Sequence, residues 1–300
     1  MNKLSQKIIV IGSINMDLVT SALVFPKAGE TLIGTSFLTI PGGKGANQAV
    51  AAARLGADVS LIGCVGDDLF GKELVDHLKE QQVSLPNVEP VTHTKTGIAS
   101  ITLAEGDNSI IVVPGANYHV TPELVAKYEE LIASCDTMLL QLEIPMESVE
   151  MAVKIGRKHG LTIILNPAPI AKLSKEILLN IDYITPNEHE VVELLEGLNE
   201  EQINKLKEKL IVTKGAKGIT YYRNGSEQHI DSYPVEVVDT TGAGDSFNGA
   251  LAVALTAGNS MEEACRFANA VGALAVTKLG AQSGMPTKEE VEVFLNSKRG

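Results

Sequence analysis

The sequence predicts an α/β fold built around a parallel β-sheet. Six short runs are continuously apolar, which is typical of strands that are buried on both faces of a sheet. These strand candidates are KIIVIGSI, DVSLIGCVG, TMLLQLE, LTIILNPAP, DYITPN and LIVTKG. Helical segments lie between them, and a chain that alternates strands with helices favours parallel strand pairing.

The intervening segments have the composition of helices. Their candidates are GANQAVAAARLGA, DLFGKELVDHLKEQ, MESVEMAVKIGRKHG, NEHEVVELLEG and NEEQINKLKEKL. A further apolar stretch, DSFNGALAVALTAG, follows a glycine-rich loop near the carboxyl end. We expect this stretch to be a helix whose amino end faces that loop.

Residues 18–40 and 95–113 break the alternation. They have no helical period, are rich in β-branched residues, and contain the turn signals PKAGE and EGDN. We expect antiparallel strands there, outside the main sheet, that pair into one small sheet with a cleft beside it. No repeat or linker divides the chain, so we expect a single domain over residues 1–300.

The composition argues against several classes of function. A formal net charge of −12 would repel a nucleic acid backbone. The longest apolar runs fall well short of the roughly 20 residues that span a bilayer, so no membrane partner is expected. The three cysteines lack C-x-x-C spacing, which indicates neither a disulfide framework nor a zinc site. We therefore expect a cytoplasmic protein.

Polar side chains follow several of the predicted strands. In parallel α/β sheets, ligands bind beyond the carboxyl ends of the strands. The polar residues at those ends are Asn15, Asp17, Glu143, Asn166, Asn187, Glu188, Glu190 and Lys214. One polar residue after a strand is an ordinary turn feature, but a series along one edge predicts a binding site.

The segment PGGKGANQAVAAARLG, residues 41–56, places three glycines and a lysine at the start of a helix. Its spacing matches neither G-x-x-x-x-G-K-[ST] nor G-x-G-x-x-G, and a tight turn before a helix is the simpler interpretation. Lys44 and Asn47 favour a binding role, because they add hydrogen-bonding side chains to a backbone that a ligand can approach. Sugar hydroxyls are suitable partners for such groups.

The segment VDTTGAGDSFNGA, residues 238–250, raises two interpretations of Asp245. The residue could simply cap the following helix, because Asp is preferred at helix starts. Alternatively, free amides at the helix start form an anion site, and Asp245 beside them is a base that accepts an alcohol proton during phosphoryl transfer. Asp239, Thr240 and Thr241 just upstream favour the second interpretation, since a cap does not need them.

These motifs resemble those of a known family. GGKGANQAVAAARLG and DTTGAGDSFNGA resemble the two signatures of the PfkB carbohydrate kinase family, also called the ribokinase family, and NEHE resembles its N-x-x-E motif. The resemblance runs from about Ile8 to about Pro286. It implies a ribokinase-like three-layer α/β/α sandwich with a mainly parallel central sheet and a small β-sheet lid, formed by residues 18–40 and 95–113.

The resemblance also implies an activity, the phosphorylation of D-ribose at its 5-hydroxyl by ATP. Asp245 matches the catalytic base, and the anion hole matches Gly242, Ala243 and Gly244. The sugar-binding positions match Asn15, Met16, Asp17, Gly43, Lys44, Gly45, Ala46, Asn47 and Glu143. The nucleotide positions match Asn187, Thr213, Lys214, Gly215, Ala216, Lys217, Gly218, Gly244 and Asn269. Glu190 would organise Mg²⁺ through water.

A potassium site beside the anion hole is implied as well. Its ligands match Asp239, Thr241, Ala275, Lys278, Gly280 and Gly284. Gly284 departs from the family pattern, because a serine is expected there and Ser283 comes one residue earlier. In ribokinases the lid also forms the contact between two subunits, so a homodimer is expected.

Two other functions remain compatible with the sequence. One is a related kinase for fructose, a deoxysugar or a nucleoside. The other is a sugar-sensing protein that keeps the fold without turnover. The Thr, Ser and Ile of the predicted lid favour a small sugar over a nucleoside, and Asp245 with its glycines argues against a sensor.

Overall fold

A computed structural model describes residues 6–85 and 87–298. The predicted domain bounds of 1–300 therefore extend past the described residues at both ends. The strands, in chain order, are β1 Lys7–Ile11, β2 Asn15–Ser21, β3 Ser36–Gly42, β4 Asp58–Gly66, β5 Val88–Val91, β6 Gly97–Ala104, β7 Asp107–Val113, β8 Thr137–Leu140, β9 Thr162–Leu165, β10 Tyr183–Ile184, β11 Ile211–Thr213, β12 Ile219–Arg223 and β13 Ser226–Ile230.

The helices pack on and around these strands. In chain order they are α1 Lys44–Arg54, α2 Leu69–Glu80, α3 Pro122–Lys127, α4 Glu129–Ala133, α5 Met146–His159, α6 Lys175–Asn180, α7 Glu190–Leu195, α8 Glu200–Lys207, α9 Ala243–Thr256, α10 Met261–Ala275, α11 Ala281–Gly284 and α12 Lys288–Ser297. Short 3₁₀ turns occupy Gly115–His119 and Gly215–Lys217. Within the described ranges, no helix is both long and apolar enough to cross a membrane.

The central sheet has six strands in the order β10-β9-β8-β1-β4-β5, and every neighbouring pair is parallel. This confirms the predicted parallel sheet. The chain first moves from β1 to β4 on one side and later to β8 on the other side. Such a reversal of strand order leaves a crevice at the carboxyl ends of the strands, where α/β proteins bind ligands.

Helices cover both faces of this sheet. Ile8 and Val10 of β1 belong to a buried cluster with apolar residues of α1, α2, α9, α10 and α12. Ile9 and Ile11 point to the other side and pack with residues of α3 to α8. The alternation follows the two-residue period of a strand, and the three-layer α/β/α arrangement is confirmed.

The strand candidate LIVTKG does not extend the parallel sheet as predicted. Its residues form β11, which pairs antiparallel with β12 in a separate three-stranded sheet. Only isolated parallel bridges join this segment to the β10 region, at Ile184 to Leu210 and at Asn187 to Thr213. The 3₁₀ turn at Gly215–Lys217 returns the chain directly, and so short a connection permits only antiparallel pairing.

The four-stranded sheet combines both segments that interrupt the strand–helix alternation. Its order is β3-β2-β6-β7. Each segment forms an antiparallel pair, but β2 and β6 are parallel, which corrects the expectation of a purely antiparallel sheet. The long connection through α1, β4 and α2 makes this parallel pairing feasible. β2 begins at Asn15, before the predicted boundary at residue 18, so Asn15 and Asp17 lie on the small sheet.

Candidate active site

Asp245 joins the two sequence signatures in space. It lies on α9, and the residue is 7% exposed. The Asn47 side chain donates a hydrogen bond to Oδ2 over 2.9 Å, and that of Gln48 donates to Oδ1 over 3.0 Å. Both donors lie on α1, so the first turns of the two helices meet at this carboxylate.

These bonds argue against the helix-cap interpretation of Asp245. The N-cap of α9 is Gly242, which places Asp245 at the third helical position. Its carboxylate accepts hydrogen bonds from side chains of another helix, α1. Burial raises the pKa of Asp245, and Lys44, Asn47 and Gln48 act in the opposite direction by favouring the charged form.

The amino end of α9 presents open backbone amides. Gly242 has a left-handed φ of 75°, and a Cβ there would lie 2.8 Å from the Cα of Ala281, so the turn requires glycine. Ala243 N donates to Thr240 O, and Ser246 N donates to Gly242 O. Among the described residues, the amides of Gly244 and Asp245 have no backbone acceptor, which is the state of an anion-binding helix end.

A cleft of about 150 Å³ opens at this helix end. Its lining brings together predicted residues from both halves of the chain, namely Lys44, Asn187, Glu190, Thr213, Gly242, Gly244 and Asp245. Asn166, Ala168, Thr185 and Asn248 complete the lining. Asn15, Asp17, Asn47, Glu143, Asn269 and residues 214–218 do not line this cleft.

Lys44 begins α1 and lies among carboxylates. Burial alone would lower the pKa of Lys44, but Asp245, Glu143, Glu190 and Asp17 together outweigh it and hold the pKa above its ordinary value. The Lys44 backbone amide donates to Glu143 Oε2, which also accepts from the Ser13 hydroxyl. The lysine is therefore cationic at neutral pH. Its charge acts on Asp17 of the small sheet, on Glu143 after β8, and on Glu190 and Asp245 of the cleft.

The carboxyl group of Asp17 has a strongly raised pKa. Burial raises its pKa to about 7, with further contributions from the charges of Glu143 and Asp245, while Lys44 opposes the increase. Asp17 pairs with Ile40 across β2 and β3, and its side chain extends diagonally to Gly42, where a Cβ would lie 2.5 Å from the carboxylate. The glycine thus leaves room for this carboxylate.

The side chain of Asn15 is hydrogen-bonded to Asn117, a residue that the sequence did not mark as part of the site. Asn117 Nδ2 donates to Asn15 Oδ1 over 2.7 Å, and Asn117 Oδ1 accepts from the backbone amide of Ile14. Asn15 Oδ1 is therefore committed to the protein. Met16 is fully buried and contributes to the core.

On the opposite side of the cleft, Asn187 and Glu190 bind each other. The backbone amide of Asn187 donates to Glu190 Oε2. In return, the side-chain oxygen Oδ1 of Asn187 accepts from the backbone amides of His189 and Glu190. Burial raises the pKa of Glu190, and the hydrogen bond from the Asn187 backbone and the charge of Lys44 act in the opposite direction. The N-x-x-E motif is thus a rigid turn at the start of α7.

The other predicted nucleotide residues lie at the end of β11, in the turn that follows it, and on α10. Thr213 ends β11 and Lys214–Gly218 forms the following turn, where Lys217 pairs with Glu188. Asn269 is buried on α10 and donates to Asp231 O over 2.8 Å.

The predicted potassium ligands converge in part. Asp239 accepts hydrogen bonds from Thr241 and from Gly280 N. Burial would raise the pKa of Asp239, but these bonds outweigh it and lower the pKa. A Cβ on Gly284 would lie 2.6 Å from Ala275 O and 3.5 Å from Lys278 O. These two carbonyls therefore approach the backbone of Gly284, close to where a serine side chain would need space.

Several site residues carried no motif signal. They are polar side chains buried around Asp245, Lys44 and Asn15, namely Ser13, Gln48, Asn117, Gln141, Asn248 and Gln282. For Gln48 the available signal was a large amide inside the apolar helix sequence ANQAVAAA. Within the described residues, no three His, Cys, Asp or Glu side chains form a metal cluster. The predicted potassium site, which uses backbone carbonyls, and the predicted magnesium site, which uses water, do not require such a cluster.

The arrangement is suited to moving a proton and holding an anion. Burial raises the pKa of the Asp245 carboxylate, which makes it a stronger base than an exposed carboxylate. Beside it, open helix amides and a cationic lysine stabilise negative charge on a transferred group. Polar groups on the small sheet supply hydrogen bonds for a hydroxylated ligand.

Comparisons with known proteins agree with this geometry. Residues 5–288 match the family model described as pfkB family carbohydrate kinase. The chain is 51% identical over 292 residues to the ribokinase of Bacillus subtilis (strain 168), covering 97% of this chain and 100% of that protein. It is 36% identical over 302 residues to the deoxyribokinase of Salmonella typhi, covering 96% and 98%. The solved structure of Arabidopsis thaliana ribokinase complexed with ribose and ATP matches with a TM-score of 0.89 at 34% identity, covering 97% and 99%.

Proposed function

The chain belongs to the pfkB family of carbohydrate kinases, and we propose that it transfers the γ-phosphoryl group of ATP to the 5-hydroxyl of D-ribose. The products are D-ribose 5-phosphate and ADP. The observation that carries this function is the Asp245 carboxylate, held by Asn47 and Gln48 beside the open amides of α9. The identity to a ribokinase and the likeness to a structure that contains ribose and ATP support the two substrates.

In the proposed mechanism Asp245 acts as general base. Its carboxylate takes the proton of the ribose 5-hydroxyl while that oxygen forms a bond to the γ-phosphorus. The bond from the γ-phosphorus to the bridging oxygen breaks, and ADP leaves with that electron pair. The proposed anion hole at Gly242, Ala243 and Gly244 stabilises charge on the transferred group, with the open amides of Gly244 and Asp245 as its donors.

The sugar would lie between the small sheet and α1. Asn15, Asp17, Asn47 and Glu143 offer amides and carboxylates to its hydroxyls, and Lys44 adds a cation. Met16, Gly43, Gly45 and Ala46 would shape this site through their backbone. Support comes from the shared charge interactions of Asp17, Lys44, Glu143 and Asp245.

ATP would extend from the amides of α9 toward the turn after β11. Asn187, Gly244, Asn269 and residues 213–218 are the proposed nucleotide positions. Glu190 would organise magnesium through water, and its place in the cleft lining beside Asn187 fits this role. Magnesium, when bound, would supply positive charge that neutralises the phosphates of ATP.

We assign a potassium site to the loops beside α9. Asp239 and carbonyls of Thr241, Ala275, Lys278 and Gly280 are the proposed ligands, with Gly284 able to contribute only its backbone. The lowered pKa of Asp239 and the approach of Ala275 O and Lys278 O to Gly284 support the assignment. Potassium, when bound, adds positive charge next to the anion hole.

The small sheet is the proposed lid and dimer surface. Ile110, Ile111, Val112 and Val113 of β7 are each more than two-fifths exposed, and an apolar stretch of this kind is typical of an interface. A second copy of the chain is the proposed partner. ATP is supplied inside cells, so we propose a cytoplasmic location.

A coupled assay for ADP release tests the function. Ribose, deoxyribose, fructose and nucleosides are supplied in turn, with and without magnesium, and the phosphorylated carbon of the product is identified by NMR. The expected result is the highest kcat/KM with ribose, with phosphate on O5. Turnover with another sugar and none above background with ribose would contradict the proposal.

A further inference from the structure

Two buried glutamines form a chain behind Asp245. Gln48 and Gln141 are both 0% exposed, and neither lines the cleft. Gln141 Nε2 donates to Gln48 Oε1 over 2.7 Å. Gln48 Nε2 in turn donates to Asp245 Oδ1 over 3.0 Å and lies 3.3 Å from Asn166 Oδ1. The chain thus runs from the end of β8 through α1 to the carboxylate.

The two glutamines fix each other's orientation. A primary amide has one donating end and one accepting end. Because Gln141 donates to Gln48 Oε1, the NH₂ group of Gln48 is directed to Asp245. A reversed Gln48 would place its oxygen against the carboxylate, where two acceptors repel each other.

The pair is a poor device for stability alone. Gln141 Oε1 has no hydrogen-bond partner among the described residues, and a buried polar atom in that state is costly. Apolar residues of the same shape in place of both partners are often neutral or stabilising. The arrangement is better explained by its effect on Asp245.

We propose that Gln48 is a positioning residue for phosphoryl transfer, oriented by Gln141, and that it fixes the plane of the Asp245 carboxylate before the sugar binds. Asn47 holds Oδ2 and Gln48 holds Oδ1, so the carboxylate cannot rotate about its Cβ–Cγ bond without losing both bonds. The remaining lone pairs are available to the sugar hydroxyl. The inference rests on the proposed role of Asp245 as base.

Gln48 also affects the protonation of the base. The charged groups that act on Asp245 are Lys44 on α1, Glu143 after β8, and Asp17 on β2. The hydrogen bond from Gln48 favours the ionised form and opposes the effect of burial. Removing it raises the pKa of Asp245, so the acid limb of the kcat/KM profile moves to higher pH.

The test compares Gln48→Met, Gln141→Met and the double variant with the full-length protein. Loss of a hydrogen bond to a charged group predicts a fall in kcat on the order of tenfold to a hundredfold for Gln48→Met. We expect a ribose KM within about threefold of the parent value. The melting temperature of Gln48→Met should fall, because Gln141 Nε2 loses its acceptor. Gln141→Met should have a smaller effect in the same direction, because it leaves Gln48 in place.

The double variant distinguishes an ordered chain from two separate effects. Because Gln141 acts through Gln48, the double variant should be no slower than Gln48→Met alone. Asn87→Leu is the matched control, since it removes a buried amide whose Nδ2 has no partner among the described residues and which lies outside the cleft lining. It should leave kcat unchanged.

Two results would overturn the positioning role. One is a kcat and an acid limb in Gln48→Met that equal those of the parent protein, and the other is multiplicative effects in the double variant. If Gln48→Met does not fold, Gln141→Met decides, and an unchanged pH profile there overturns the proposal. Asp245→Asn separates the two levels, because full activity in that variant would contradict the base assignment itself.

Discussion

The side chain of Asn47 donates a hydrogen bond to the carboxylate of Asp245 over 2.9 Å, although the two residues lie 198 positions apart. The contact joins the amino-terminal glycine motif to the carboxyl-terminal one. The hydrogen bond connects Asp245 to α1. The carboxylate is thereby held in place beside the open amides at the start of α9. A helix cap would not need this connection.

The raised pKa of Asp17 predicts a pH-dependent cost to stability. An ordinary Asp ionises near 3.8, whereas burial and neighbouring carboxylates hold this one near 7. The unfolded chain therefore releases the proton first, and stability falls as pH rises from about 4 to 7, then stays low. Asp17→Asn should raise the free energy of unfolding at pH 8 by up to about 4 kcal/mol, at 1.36 kcal/mol per pKa unit.

Urea unfolding of the ligand-free protein at pH 4 and pH 8 measures this effect. The difference between parent and variant should be much larger at pH 8. The exposed Asp107→Asn serves as control and should show no such trend. An equal difference at both pH values would contradict the Asp17 assignment.

Gly242 and Gly244 offer a matched pair of alanine substitutions. Gly242→Ala meets a left-handed φ and the backbone of Ala281, so we expect a loss of stability of about 1–3 kcal/mol. Gly244→Ala meets no atom within 4 Å and should fold normally, but its methyl group stands at the open amides. Unfolding curves and the KM for ATP are measured on both variants. Gly242→Ala should lower the free energy of unfolding, whereas Gly244→Ala should raise the KM for ATP and leave the unfolding curve unchanged. Parent-like kinetics in Gly244→Ala would argue against phosphate binding there.

Asp239→Asn tests the potassium proposal. The carboxylate accepts from Thr241 N, Thr241 Oγ1 and Gly280 N, and an amide carries no charge to attract a cation. We expect the activation by potassium, measured as kcat against choline chloride at equal ionic strength, to shrink several-fold. A potassium response equal to that of the parent protein would remove the assignment.

Ile111→Lys tests the proposed dimer surface. Ile111 is 67% exposed on β7, so a lysine there costs the folded subunit little but places charge in an apolar contact. Light scattering should give the mass of a dimer for the parent protein and that of a monomer for the variant. A parent protein that is monomeric at all concentrations would refute the proposal.

The sequence was informative where local chemistry and strand order decide the structure. The apolar runs predicted the parallel sheet, and the rule for strand ends placed Asn166, Asn187 and Glu190 near one edge. The predicted residues Lys44, Asn187, Glu190 and Asp245 do line one cleft. These features depend on neighbours in the chain and on a general property of parallel sheets.

Other features depended on long-range packing or on an overlooked local signal. Gln141 is a buried amide whose partner lies far away in sequence, so no local pattern marks it. Gln48 did have a local signal, since it is a large amide inside the apolar helix sequence ANQAVAAA. The β12–β13 hairpin could have been predicted, because Asn224 and Gly225 form an Asn-Gly pair, which is a strong hairpin signal. In the structure both residues have the positive φ values that such a turn requires, 53° and 74°. The hairpin supplies β12, and the short turn at Gly215–Lys217 pairs that strand antiparallel with β11.

The central claim is that Asp245 is the base for phosphoryl transfer to ribose, and Asp245→Asn tests it most directly. Removing a general base lowers kcat on the order of 10²- to 10⁴-fold, while the similar shape of Asn should keep the Kd for ribose within about threefold, measured by calorimetry. That combination is the predicted result. A variant that binds ribose normally and keeps a kcat within about threefold of the parent value would contradict the account.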